Sequence, residues 1–95
     1  MLGVETVVNV SGTTPTITAN QNTRYICGEV VSISFTPCAS GLCDVRFTSG
    51  STPTVLTLPN TVKMPSWWDG TCEANTVYEI NVLDGVYGGV MTWEV

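Results

Sequence analysis

Two adjacent tryptophans followed by an aspartate are the residues in this chain best suited to contact another molecule: Trp67, Trp68 and Asp69. They lie in the segment SWWDGT between Pro65 and Cys72, where proline and glycine predict a loop. Flat indole rings beside a carboxylate suit stacking against a sugar, and tryptophan is also common in protein interfaces. The alternative is that one or both rings fold back onto the core or pack across a subunit boundary.

Four cysteines offer a second kind of chemistry: Cys27, Cys38, Cys43 and Cys72. They could form disulfides in three pairings. Cys38 and Cys43 bracket ASGL, a predicted hairpin tip, so a bridge between them would staple one loop once the protein reached an oxidising medium. The cysteine spacing of x10, x4 and x28, without any histidine, is a weak match to a zinc site. Buried free thiols are the third interpretation.

Residues for catalysis are sparse. The chain contains no histidine, so a serine or cysteine nucleophile would lack its ordinary base, and the one lysine, Lys63, has no nucleophile motif around it. Asp69 and Glu73 could be chosen as a glycosidase pair, but any chain with eight acidic residues allows such a choice. We therefore expect no enzyme activity, no cofactor and no metal.

Composition bounds the class of protein. Residues 1–95 are enough for a single domain with a thin core. Charged residues are only 12% of the chain, while 43% are hydrophobic. This balance predicts that part of the outer surface is covered by other copies or by a larger assembly. A small monomer coated with Thr, Ser and Asn is the alternative. The net charge of −5 disfavours nucleic acid. No run approaches the roughly 20 apolar residues of a membrane helix, so we expect no membrane insertion.

Short strands would have to position these residues. Alternating apolar and polar residues, β-branched residues and turn formers predict strands at 4–10, 14–19, 23–27, 29–35, 42–48, 54–58 and 62–64, followed by two longer runs within 73–95. No stretch has helical spacing. We therefore predict an all-β fold, an antiparallel β-sandwich or a jelly-roll-like barrel of about eight short strands, without an internal repeat.

Two hairpins are predicted. The runs 29–35 and 42–48 would pair with each other. On the second run, Cys43, Val45 and Phe47 would share one face, and Asp44 and Arg46 would form a solvated ion pair on the opposite, outer face. Asp84 and Gly85 predict a two-residue type I′ turn, which would place Leu83 opposite Val86. One face of that hairpin would then carry Tyr78, Ile80, Val82, Tyr87, Met91 and Trp93. Of these, Tyr78, Ile80, Tyr87, Met91 and Trp93 are candidates for an oligomer interface or for the core.

The second half of the chain carries a resemblance to a known family. The segments 47–59 (FTSGSTPTVLTLP), 62–63 (VK), 73–80 (EANTVYEI) and 83–85 (LDG) resemble the C-terminal β domain of tailed-bacteriophage virion proteins, found in fibres, head fibres and tail tips. The family pattern differs in having an aromatic residue near Met64 and few cysteines. The resemblance implies a structural protein rather than an enzyme.

What the resemblance implies about assembly agrees with the low charge. Fibre-type β domains generally form trimers, so we expect a homotrimer that also contacts other virion proteins. The protein would be made in the bacterial host cytoplasm and reside in the virion, and its exposed loops would be available to a host cell-surface glycan. The alternative from a different class is a carbohydrate-binding module that uses the loop of Trp67 and Trp68.

Overall fold

The chain folds into two β-sheets that face each other across one core. The structure is a computed structural model and describes residues 6–95. Its strands are β1 (Thr6–Val10), β2 (Thr16–Thr18), β3 (Thr23–Glu29), β4 (Ser32–Thr36), β5 (Leu42–Ser49), β6 (Val55–Thr57), β7 (Thr76–Leu83) and β8 (Tyr87–Glu94). Among these described residues there are eight strands and no helix, which confirms the predicted all-β class. The first two residues of the predicted strand 4–10 lie outside the described part.

The strands are arranged differently from the prediction. One sheet has the order β1-β3-β5-β7-β8 and the other has the order β2-β4-β6. The first six strands alternate between the sheets, and within each sheet they run parallel to their neighbours. β2 and β4 of the smaller sheet thus lie in the crossovers that the parallel pairs β1–β3 and β3–β5 of the larger sheet require. Only β5, β7 and β8 pair in the antiparallel sense.

The predicted hairpin of 29–35 with 42–48 is therefore wrong, because β4 and β5 belong to different sheets. The parallel pairings also differ from the jelly-roll-like barrel, whose strands are antiparallel. Successive coils of the chain bring Thr6 beside Thr23, and Thr23 beside Cys43. The numbers of residues between these paired positions are unequal, so the successive coils of the chain produce no regular repeat in the sequence.

The core lies between the two sheets. β5 supplies Cys43, Val45 and Phe47, none of which has any exposed surface, so the predicted inward face of this strand is confirmed. From the smaller sheet, Phe35 meets the Tyr25 ring edge-on at a centroid distance of 6.3 Å. Burial of such apolar side chains contributes about 1.5 to 3 kcal/mol each.

The β7–β8 turn forms as predicted, but the register of the hairpin does not. Asp84 and Gly85 have φ values of 56° and 70°. The Val86 N–H donates to the Leu83 carbonyl at 3.1 Å. Both features are those of a type I′ turn. Leu83 pairs with Tyr87 rather than with Val86, so Val86 is one extra residue in the hairpin.

A contact with a distant loop explains this extra residue. The Lys63 N–H donates to the Val86 carbonyl at 2.6 Å, and the Gly88 N–H donates to the Lys63 carbonyl at 2.8 Å. The loop lies so close to β8 that a Cβ at position 88 would overlap the flexible side chain of Met64 and lie 3.2 Å from the Lys63 carbonyl oxygen, so glycine favours this close approach. Of the predicted strand 62–64, one isolated parallel bridge between Lys63 and Tyr87 is formed.

Candidate functional site

The loop that carries Trp67 and Trp68 is held in one shape by its own hydrogen bonds. The Trp68 N–H donates to the Pro65 carbonyl at 3.1 Å. The Thr71 N–H donates to Asp69 Oδ1 at 2.9 Å, a local bond typical of aspartate in turns. Trp68 Nε1 donates to the Thr71 carbonyl at 3.1 Å. These bonds fix the positions of the loop residues relative to one another.

A stack of aromatic rings joins this loop to the core. The Phe47 and Tyr78 rings lie 5.6 Å apart at an interplanar angle of 20°, and the Trp68 and Tyr78 rings lie 5.9 Å apart at 30°. The Tyr78 hydroxyl accepts a hydrogen bond of 2.7 Å from the Glu73 N–H. Burial raises the pKa of Tyr78. The inner face of the Trp68 ring therefore packs on Tyr78, and this contact anchors the loop to the core.

The two adjacent tryptophans thus have different surroundings. Trp68 is half-buried, whereas 68% of the surface of Trp67 is exposed. Large exposed aromatic side chains in a loop are typical of binding surfaces, because their burial by a partner removes much apolar area from water. Of the two ligand-contact candidates, Trp67 therefore has the larger exposed surface, and Trp68 holds the loop against the core.

A groove of about 450 Å³ opens beside the tryptophans. Its lining combines three aromatic rings, two carboxylates and several hydroxyl groups: Ser66, Trp67, Trp68, Asp69, Thr71, Glu73, Thr76, Tyr78 and Thr92. None of these lining residues is lysine or arginine. The volume lies within the usual range for small-ligand sites. The arrangement can offer an aromatic surface together with hydrogen-bond acceptors.

The sequence pattern indicated only part of this groove. Trp67, Trp68 and Asp69 were predicted contact residues and all three line it. Tyr78, Thr76 and Thr92 were missed as lining residues, since they lie on β7 and β8, distant from the loop in sequence. Alternation places Thr76 and Tyr78 on one face of β7, but nothing in the sequence indicates that the loop covers that face.

The predicted oligomer-interface residues separate into two groups. Tyr78 and Ile80 are buried in the core, with 3% and 0% of their surfaces exposed, so they are not available to another copy of the chain. Tyr87, Met91 and Trp93 lie on the opposite face of the sheet and are 61%, 47% and 46% exposed. The one-residue change in hairpin register causes this difference, because it moves each β8 side chain to the other face.

The cysteines are separate thiols. Cys27, Cys43 and Cys72 are buried and Cys38 is half-buried. Burial raises the pKa of Cys27, raises that of Cys43 to about 12 and raises that of Cys72 to about 11. These shifts keep the thiols protonated and weakly nucleophilic. The Cys38 N–H donates to Cys43 Sγ at 3.4 Å, so these two residues are neighbours. Their disulfide stays a prediction, as does a bridge involving Cys27 or Cys72.

Neither a metal-ligand cluster nor a membrane-spanning helix is found in the described part of the chain. Within residues 6–95, no group of three or more cysteine, aspartate or glutamate residues is placed to hold a metal ion. In the same range, no helix is long and apolar enough to cross a membrane.

Fold and groove together define a two-sheet, partly parallel β domain with an aromatic, acid-lined groove. Comparison with known proteins adds no relative: no protein family matches the sequence, and neither a curated protein nor a solved structure is significantly similar to it.

Proposed function

We propose that this chain is a non-enzymatic structural domain of a bacteriophage virion, of the fibre, head-fibre or capsid-surface kind. It associates with copies of itself as a homotrimer, binds other virion proteins and contacts carbohydrate on the host surface. Its placement in a virion is supported by the resemblance of segments between residues 47 and 85 to phage C-terminal β domains. Its self-association is supported by the structure of β8.

The observation that carries self-association is the outward face of β8. Tyr87, Met91 and Trp93, which we call the β8 flank, are large side chains on one face of an edge strand. Next to Trp93 lies a shallow depression of about 320 Å³ lined by Trp93, Val77 and Arg46. An exposed apolar patch of this kind on a small domain is typical of a protein interface, and a second copy would remove it from water.

Sedimentation of purified protein tests self-association. Wild-type protein should sediment at three times the mass of the 10.2 kDa chain, and Trp93→Ser or Met91→Ser should shift it to the monomer. Val55→Ser is the matched control, because Val55 is 65% exposed but lies on β6 of the other sheet. A wild-type monomer at every concentration would contradict the proposal.

The placement in a virion needs its own test. Phage particles purified from a bacterium that carries the gene should contain the chain when analysed by mass spectrometry. Finding the chain in the cell lysate but not in the purified particles would contradict this part of the proposal without affecting the oligomeric state.

The second candidate function is a stand-alone carbohydrate-binding module. The observation that favours it is the groove itself, where the exposed ring of Trp67 lies beside carboxylate and hydroxyl groups. A stable monomer that binds oligosaccharides, with binding lost in Trp67→Ala, would favour this function over the virion role. A trimer without affinity for any oligosaccharide would favour the structural role alone.

A further inference from the structure

The charges around the groove have one sign. Asp69 and Glu73 line the groove and both are exposed. The two arginines of the chain bind other carboxylates on the outer face of the larger sheet. The backbone of Lys63 pairs with Tyr87, and the groove residue Thr92 lies further along β8. Lys63 also precedes the groove residue Ser66 by three positions, but it is not itself part of the lining. The groove therefore has a negative potential that no basic residue of its lining offsets.

Four hydrogen-bond donors at the groove already bind within the protein, and the two carboxylates of the lining are its only charged groups. Trp68 Nε1 and the Thr71 N–H bond within the loop, the Glu73 N–H bonds to the Tyr78 hydroxyl, and the Thr76 hydroxyl donates to the Ala74 carbonyl at 3.0 Å. Carboxylate oxygens, by contrast, are pure acceptors when ionised. A cationic ligand that donates hydrogen bonds therefore fits the two carboxylates better than an anionic ligand, which they would repel and which no basic residue of the lining would attract.

The aromatic surface adds the second requirement. A pyranose ring can lie flat on the exposed indole of Trp67, and an ammonium group close to an aromatic face is attracted by the electron-rich face of the ring quadrupole. A sugar with a free amino group can stack on the Trp67 ring and can also donate hydrogen bonds from its ammonium group to the carboxylates. The same sugar bearing a carboxylate would be repelled by Asp69 and Glu73.

We propose that the groove selects an amino sugar, a pyranose with an unacetylated amino group, whose ring lies on Trp67 and whose ammonium group is bound by Asp69 and Glu73. This inference rests on the proposed contact of the groove with carbohydrate. It adds the chemical class of the sugar and the residues that discriminate it.

Calorimetric titration with three matched oligosaccharides tests the proposal. At pH 6, a glucosamine oligomer should bind about tenfold more tightly than the N-acetylglucosamine oligomer of equal length, the effect expected of one charge-assisted hydrogen bond. A galacturonate oligomer should show no binding. The advantage of the amine should diminish as salt is added, because exposed charges are screened.

Single substitutions test which side chains cause the preference for the glucosamine oligomer. Asp69→Asn and Glu73→Gln should reduce binding of the glucosamine oligomer to that of the acetylated oligomer, whereas Trp67→Ala should weaken binding of both. Asp84→Asn is the charge-matched control: it removes one negative charge at the hairpin turn, keeps the amide oxygen that can accept from the Gly41 N–H, and should change neither affinity.

The outcomes separate this inference from the proposed function. Equal binding of the amine and acetylated oligomers, unchanged by Asp69→Asn and Glu73→Gln, would overturn the amino-sugar inference and leave carbohydrate contact intact. Binding of polylysine as tight as that of the glucosamine oligomer, insensitive to Trp67→Ala, would also overturn it, since charge alone would then be responsible. Failure of every oligosaccharide to bind would overturn the inference and the carbohydrate contact together.

Discussion

Two pairs of carboxylates in this molecule have opposite surroundings. On the outer face of the larger sheet, the side chains of Asp44 and Glu79 are each only 4% exposed. Arg24 Nε lies 3.0 Å from Asp44 Oδ1, and Arg46 Nη2 lies 2.7 Å from Glu79 Oε1. Arg24 Nη2 also approaches Glu79 Oε2 at 3.6 Å, which joins the four side chains into one network.

The other pair, Asp69 and Glu73 in the groove, is exposed and has no arginine or lysine among the lining residues. Burying a charge is costly unless it is paired, so the sheet carboxylates require their arginines for stability. The groove carboxylates remain hydrated and do not need partners within the chain. The comparison indicates that the paired acids maintain the fold, while the exposed acids of the groove, which form no salt bridge within residues 6–95, are suited to the proposed binding.

Removing one acid from each pair is the strongest test of this comparison. Glu79→Ala leaves the partly exposed Arg46 without its carboxylate, while Arg24 keeps Asp44, so it should lower the free energy of unfolding by about 2 to 3 kcal/mol through the loss of charge-assisted hydrogen bonds. Glu73→Ala removes an exposed acid of the same type and should change it by less than about 0.5 kcal/mol. Urea denaturation at pH 7 measures both. Equal effects of the two substitutions would show that burial does not distinguish these carboxylates.

The two tryptophans extend the comparison within the groove. Trp68 is half-buried and stacks on Tyr78, whereas the ring of Trp67 is exposed. Trp68→Ala should therefore cost about 2 kcal/mol of stability. Trp67→Ala should cost less than about 0.5 kcal/mol, although it should weaken ligand binding. Thermal unfolding followed by circular dichroism compares them. A loss of stability as large for Trp67→Ala would mean that Trp67 packs on the fold rather than on a ligand.

Local sequence patterns predicted the positions and faces of the strands better than they predicted which strands pair with each other. Alternation identified which side chains of β5 face the core, and Asp84-Gly85 identified a turn, because both depend on neighbouring residues. Parallel pairing was missed, since alternation on one strand is the same whichever direction its neighbour runs. The hairpin register was missed because the Lys63 backbone, distant in sequence, pairs with Val86 and Gly88 and draws Val86 out of the ladder.

The ion pairs illustrate the same limit. Asp44 and Arg46 lie on one face of β5, and the sequence predicted that they would pair with each other in solvent. The structure shows instead that each bonds across the sheet, Asp44 to Arg24 on β3 and Arg46 to Glu79 on β7. Register sets these partners, and the register of β3 and β7 against β5 depends on the coil of the whole chain.

The acid titration of Asp44 gives the finest test of the comparison. Burial, and next the nearby charge of Glu79, raises the pKa of Asp44 to about 6, although Arg24 opposes the shift. A folded-state pKa above the unfolded value means that the folded protein binds the proton more tightly. This contribution to stability is therefore complete below the unfolded pKa near 4 and is lost as the pH rises through about 6.

Asp44→Asn should remove that dependence while keeping an oxygen that accepts from Arg24. Between about pH 4.5 and pH 7.5, wild-type protein should lose about 1 to 2 kcal/mol of stability relative to Asp44→Asn, as one titrating group with a raised pKa requires. Urea denaturation of both proteins across this range measures the difference. If the stability of the two proteins changed with pH in the same way, Arg24 would neutralise Asp44 completely. The sheet carboxylates would then differ from those of the groove in having arginine partners, and not in the energetic cost of their burial.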